Sequence, residues 1–69
     1  METLPQVQGL FHKRGVKIKD TVRVELPEGN ATGVLLGIDY NVIDGHSAVV
    51  DLGGPLLKRV HPTRVFAIH

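Results

Sequence analysis

The chain has no cysteine. That excludes disulfides and thiolate zinc sites as supports for the fold. It also has no tryptophan, and Phe11, Tyr40 and Phe66 are its only aromatic residues. So few rings leave little for an aromatic cage around methylated lysine or a row of base-stacking platforms. No apolar run is long enough to span a bilayer, and the first twenty residues lack the apolar stretch of a signal peptide. The expected setting is the cytoplasm.

What is present is aliphatic. Of 69 residues, 42% are hydrophobic, which is a globular composition rather than a disordered one. A domain this small buries only about 60% of the surface its unfolded chain exposes. Without disulfides or metal it needs another support, and oligomerisation is the usual one left. Some apolar surface is expected to stay outside, which points to self-association.

Formal net charge is only +1, but the charges are unevenly placed. Lys13, Arg14, Lys17 and Lys19 crowd one short segment, and Lys58, Arg59 and Arg64 lie near the C-terminus. Between them fall Glu25, Glu28, Asp39, Asp44 and Asp51, with no lysine or arginine from Val24 to Leu57. The order is basic, acidic, basic.

Residues 1–12 show no strong periodicity. Thr3 is placed to cap a short helical turn near Pro5, and Gly9 is expected to end it. This segment reads as an irregular or partly mobile arm anchored by Leu10 and Phe11, with a single small domain over 13–69. In residues 20–26, Val22, Val24 and Leu26 alternate with Thr21, Arg23 and Glu25, the period of a half-buried strand. Pro27-Glu28-Gly29 reads as a three-residue hairpin loop, pairing Val24 with Thr32 and Val22 with Val34.

The next strand is expected from Thr32 to Asn41, with Val34, Leu36, Ile38 and Tyr40 inward. Asp44-Gly45 is the strongest hairpin signal in the chain. A two-residue turn there would set Asp51 beside the apolar face. A three-residue loop, Ile43-Asp44-Gly45 with Gly45 left-handed, pairs Ile38 with Val50 and keeps the pleat. Leu35 and Val49 then face outward. Gly53-Gly54-Pro55 ends this strand. Leu56 to Val60 form a fourth, His61-Pro62-Thr63-Arg64 a tight helical turn, and Val65 to Ile68 a fifth.

Five short strands, one helical turn before the last, and Gly33 and Gly37 placed to bend a strand predict a small all-β barrel. The features that carry a likeness are Asp20-Thr21-Val22-Arg23-Val24, the spaced Gly29, Gly33 and Gly37, the Asp44-Gly45 hairpin, and His61-Pro62 before Val65-Phe66-Ala67-Ile68. On these, residues 20–68 resemble the Src-homology-3-like barrels. That group includes KOW domains, Tudor-like domains and the tetrameric plasmid-type dihydrofolate reductase. The likeness implies a fold, not a function. The reductase's Val-Gln-Ile-Tyr stretch is absent; the corresponding region reads Leu57-Lys58-Arg59-Val60-His61, so that activity is excluded.

Catalytic constellations are lacking. His12, His46, His61 and His69 have no spacing that puts two on one face, so neither a metal site nor a cofactor is expected. Ser47 lies in a hairpin, without a nucleophile elbow. Asp39 and Asp51 fall on a convex strand face, without the cleft that a working carboxylate pair needs. The expectation is a non-enzymatic binding module of a bacterium, phage or mobile element.

Two readings compete. In the first, Lys13, Arg14, Lys17, Lys19, Lys58, Arg59 and Arg64 contact a nucleic-acid backbone, where clustered cations release counterions. The plainer reading of the same residues is a solvated charged face and guarded strand edges. In the second, Leu35 and Val49, with Leu56 or Leu57, form an outer apolar patch for a protein partner or for self-assembly. Its plainer counterpart is a face covered by the N-terminal arm.

Overall fold

The computed structural model describes residues 3–68. It is mostly β: five antiparallel strands in one sheet, with one α-helix. The helix, α1, spans Leu4–Arg14, where an irregular arm was expected. Thr3 caps it. The Thr3 hydroxyl accepts from the Gln6 N–H, and the Gln6 side chain accepts from the Thr3 N–H, which is a capping box. Gly9 sits inside the helix at a cost of about 1 kcal/mol against alanine. Val7 and Phe11, four residues apart on one face, are buried; each contributes about 1.5–3 kcal/mol, which outweighs Gly9. Gly15 ends α1 at φ 70°, the left-handed position that favours glycine.

Strand β1 spans Thr21–Leu26 and β2 spans Gly29–Asn41. Their register differs by one residue from the expected one: Leu26 pairs with Gly29, Val24 with Ala31 and Val22 with Gly33. Pro27 and Glu28 alone form the connection. Buried Val22 and Val24 therefore bring Gly33 and Leu35 inward, and Leu35 is fully buried.

Strand β3 spans Gly45–Asp51. Ile38 pairs with Ala48 and Tyr40 with His46, but the register shifts between Leu35 and Gly37. This bulge at Leu36 inverts the pleat of β2. Odd positions face the core before it; Ile38 does so after it. A single uninterrupted alternation, expected from the sequence, placed Val34 and Leu36 inward and Leu35 outward, and the bulge overturns that. The connecting loop is three residues long, Val42-Ile43-Asp44, with Asn41 paired to Gly45. Gly45 is left-handed at φ 78° as expected, although it opens β3 rather than closing the loop.

Strand β4 spans Lys58–Val60, a 3-10 turn η1 spans Pro62–Arg64, and β5 spans Val65–Ala67. Both strands are shorter than expected, while the helical turn falls where it was read. The strand order is β4-β3-β2-β1-β5. β4 and β5 are thus the two edges, connected through η1, and no ladder closes the sheet between them among the described residues. The core joins Val7, Phe11 and Val16 to Val22, Val24, Leu35, Ala48, Val50, Val60 and Val65. Among the described residues no helix is long and apolar enough to cross a membrane.

Candidate functional site

The first basic cluster follows from how α1 ends. His12, Lys13 and Arg14 occupy its last turn, where cations offset the negative end of the helix dipole. Gly15 then reverses the chain. Residues 16–20 form a tied loop. The Val16 N–H donates to the Phe11 carbonyl, and the Lys19 N–H to the Leu35 carbonyl at 2.6 Å. The Asp20 carboxylate accepts from the Lys17 N–H at 3.0 Å. Lys19 is held at φ 77°, a left-handed backbone unusual outside glycine. Lys13, Lys17 and Lys19 are exposed.

Arg14 turns the other way. Its Nη1 donates to the Thr63 carbonyl at 2.8 Å and the Val65 carbonyl at 2.9 Å. Its guanidinium carbon lies 4.1 Å from the centre of the Phe66 ring. Arg23 pairs with Phe66 in the β1–β5 register and stands 4.8 Å from the same ring. Phe66 is half-buried. Exposed Arg64 precedes β5 in η1. Arg23, the one cation outside the expected set, therefore joins Arg14 at Phe66. Alternation with Val22 and Val24 marks Arg23 as exposed. Its neighbour across β5 is visible only once the strands are paired. Glu25 is the acid on the same face of β1.

Lys58 and Arg59 lie on β4, at the opposite end of the strand order from β5. Lys58 is exposed. Arg59 reaches across β3, and its Nε donates to the Asp39 carboxylate at 2.8 Å. That bond, and a second from the Tyr40 N–H, hold the Asp39 carboxyl below its ordinary value. Asp39 pairs with Ser47 and Asp51 with Val34, and Asp51 accepts from the Gly53 N–H. The two carboxylates are thus committed separately.

Beside Asp39 and Arg59 a polar cleft of about 630 Å³ is lined by Tyr40, His46, Ser47 and His61 among others. Tyr40 is 54% exposed, so it is not the core residue expected. Its ring lies 4.9 Å from that of His46, tilted by 54°. His61 caps η1, its Nδ1 accepting from the Thr63 N–H. His12 is exposed, and His69 lies outside the described residues. Among the described residues, no three His, Asp or Glu side chains converge in metal-binding geometry.

The expected apolar patch is dispersed. Leu35 is in the core because of the bulge at Leu36, and Val49 is half-buried. Leu56 and Leu57, in the loop before β4, are 82% and 51% exposed. Comparison with protein-family models, with curated proteins and with solved structures finds no match to this chain.

Proposed function

We propose that this domain is a non-enzymatic module that binds a nucleic-acid backbone. The observation that carries the reading is the set of exposed cations around the end of α1 and the start of β5. Lys13, Lys17, Lys19 and Arg64 face solvent, and among the described residues none of their side-chain cations forms an ion pair with a carboxylate. Arg23 adds to them, and Arg14 serves as their frame, because its guanidinium is already occupied by backbone carbonyls. Arg59, paired with Asp39, contributes less, and Lys58 stands apart on β4. The Src-homology-3-like barrel belongs to the same proposal, supported by five antiparallel strands with a 3-10 turn before the last. The cytoplasm is the setting it calls for.

The test is fluorescence anisotropy with labelled single-stranded and duplex oligonucleotides at low and moderate salt. Binding should fall steeply with salt, with a slope set by the phosphates contacted. Lys13→Gln, Lys17→Gln, Arg64→Gln and Arg23→Gln should each lower that slope by about one. Lys19→Gly is the cleanest variant, since it removes a cation where the backbone already suits glycine. Undetectable binding to both nucleic acids at low salt overturns the proposal. The second reading, a protein-interaction module, retains Leu56 and Leu57, whose exposure favours it, and loses Leu35.

A further inference from the structure

The β2–β3 hairpin runs on past the core. Ile38 and Ala48 are the last paired residues that pack into it. Beyond them Tyr40 is 54% exposed, Val42 77% and Ile43 82%. Tyr40 follows Ile38 on the same face of the strand. At the foot of this overhang lies an apolar groove of about 350 Å³, between the end of α1 and β2. Phe11 and Val16 are buried beneath it, Ile38 forms its β2 side, and Ile18, 48% exposed, stands over it. Gln8, His12 and Lys17 are its polar lining.

We propose that two copies of this chain pair about a twofold axis through the hairpin. The two overhangs lie side by side and antiparallel, and each Val42-Ile43 tip seats in the groove of the other copy. Three features argue for a second copy as the occupant. The first is reach. Ile43 lies five residues beyond Ile38, about 16 Å along an extended strand, so tip and groove are separate patches of one continuous surface. A twofold contact requires a self-complementary surface, in which each patch meets its counterpart. Apolar tip and apolar groove, with Tyr40 between them at the crossing, meet that requirement.

The second is charge. The tip carries Asp44, and the groove carries Lys17 and His12, with Lys13 next in the chain. Opposite signs meet at both ends of the pair, and a shift in register would lose them. The third is need. A cysteine-free chain of 69 residues gains the support that oligomerisation gives small domains.

Sedimentation equilibrium of the full chain tests this, with circular dichroism to confirm that each variant is folded. The wild type should be a dimer in the micromolar range. Ile43→Asp, at an 82% exposed loop tip, and Ile18→Asp should both be folded monomers. Asp44→Lys should weaken the dimer by at least about tenfold. Combining it with Lys17→Glu should restore the dimer, because both contacts are then reversed together. A wild type that stays monomeric overturns the proposal, as does a dimer that survives Ile43→Asp. A groove that takes up a foreign apolar peptide while the chain stays monomeric overturns it too. None of these outcomes depends on nucleic-acid binding.

Discussion

Arg14 lies over Phe66, 4.1 Å from guanidinium carbon to ring centre, while its Nη1 donates to the carbonyls of Thr63 and Val65. One side chain therefore joins the end of α1 to η1 and β5. A charged donor on a half-buried carbonyl contributes roughly 1.5 kcal/mol or more, and an exposed cation–π contact about 0.5–1. Arg14→Ala should cost about 2 kcal/mol, read as a lower urea midpoint at unchanged slope. Arg14→Lys should recover less than half of that. Its amine can donate to a carbonyl but cannot stack as a plane on Phe66. Equal stability of Arg14→Lys and wild type would remove the stacking contribution.

Gly33 and Gly37 read alike in the sequence, and the structure separates them. A Cβ at Gly33 would lie 2.5 Å from the Asp51 carbonyl oxygen and 2.6 Å from a Leu52 methyl, whereas one at Gly37 meets nothing within 4 Å. Gly33→Ala should destabilise by about 2 kcal/mol or more, because a backbone carbonyl must move. Gly37→Ala should leave the fold intact or stabilise it by up to about 0.5 kcal/mol, by restricting the unfolded chain. Thermal unfolding of the pair decides the matter. Equal losses would mean that β2 needs flexibility at both sites rather than a close approach at one.

The helix gives a gain rather than a loss. Gly9 is interior to α1, exposed, and has open space where a Cβ would go. Gly9→Ala should raise stability by about 0.5–1 kcal/mol. Thr3→Ala should lower it by about 1 kcal/mol, since it removes the acceptor of the capping box. Both changes should appear in the helical circular-dichroism signal before they appear in global unfolding, because α1 is the terminal element.

What could be read from the sequence, and what could not, follows a physical line. Strand β1, the 3-10 turn at Pro62 and the left-handed Gly45 rest on local chemistry: alternation, proline's missing donor, glycine's freedom. Each was legible. The capping box Thr3-x-x-Gln6 was legible in principle, but Gly9 weighed more in the reading than it does in the fold. The bulge at Leu36 was not legible. It exists because Gly33 must pass close to Asp51 while Ile38 and Ala48 also face inward, a constraint between strands that no local pattern records. Leu35 was misplaced for that reason, and Tyr40 because β2 runs on past the last residues that pack into the core. The cations were visible as a composition. That Arg14 is consumed by the fold and Arg23 is drawn toward it depends on how α1, β1 and β5 meet.

The ion pair of Asp39 and Arg59 ties β2 to β4 across β3, and its pH dependence has a definite sign. The Arg59 guanidinium, first, and the Tyr40 N–H, second, hold the Asp39 carboxyl below the ordinary aspartate value of 3.8. A carboxyl depressed in the folded state stabilises that state above the unfolded value. The contribution is lost as pH falls through the folded value. The pair should therefore be intact at neutral pH and open only in acid below 3.8. Both side chains are well exposed, 63% for Arg59 and 46% for Asp39, so water and salt screen the pair and its effect on global stability should be small. The informative readout is local: an NMR titration of the Asp39 carboxyl carbon. Its midpoint should lie below 3.8 in the wild type and rise in Arg59→Gln. It should not return fully to the ordinary value, because the Tyr40 N–H still donates to it. The Tyr40 and His46 ring signals should shift over the same acid range, since both rings line the cleft beside the pair. An unchanged midpoint in Arg59→Gln would mean that Arg59 does not hold this carboxylate in solution, and the link from β4 to β2 would then rest on backbone pairing through β3 alone.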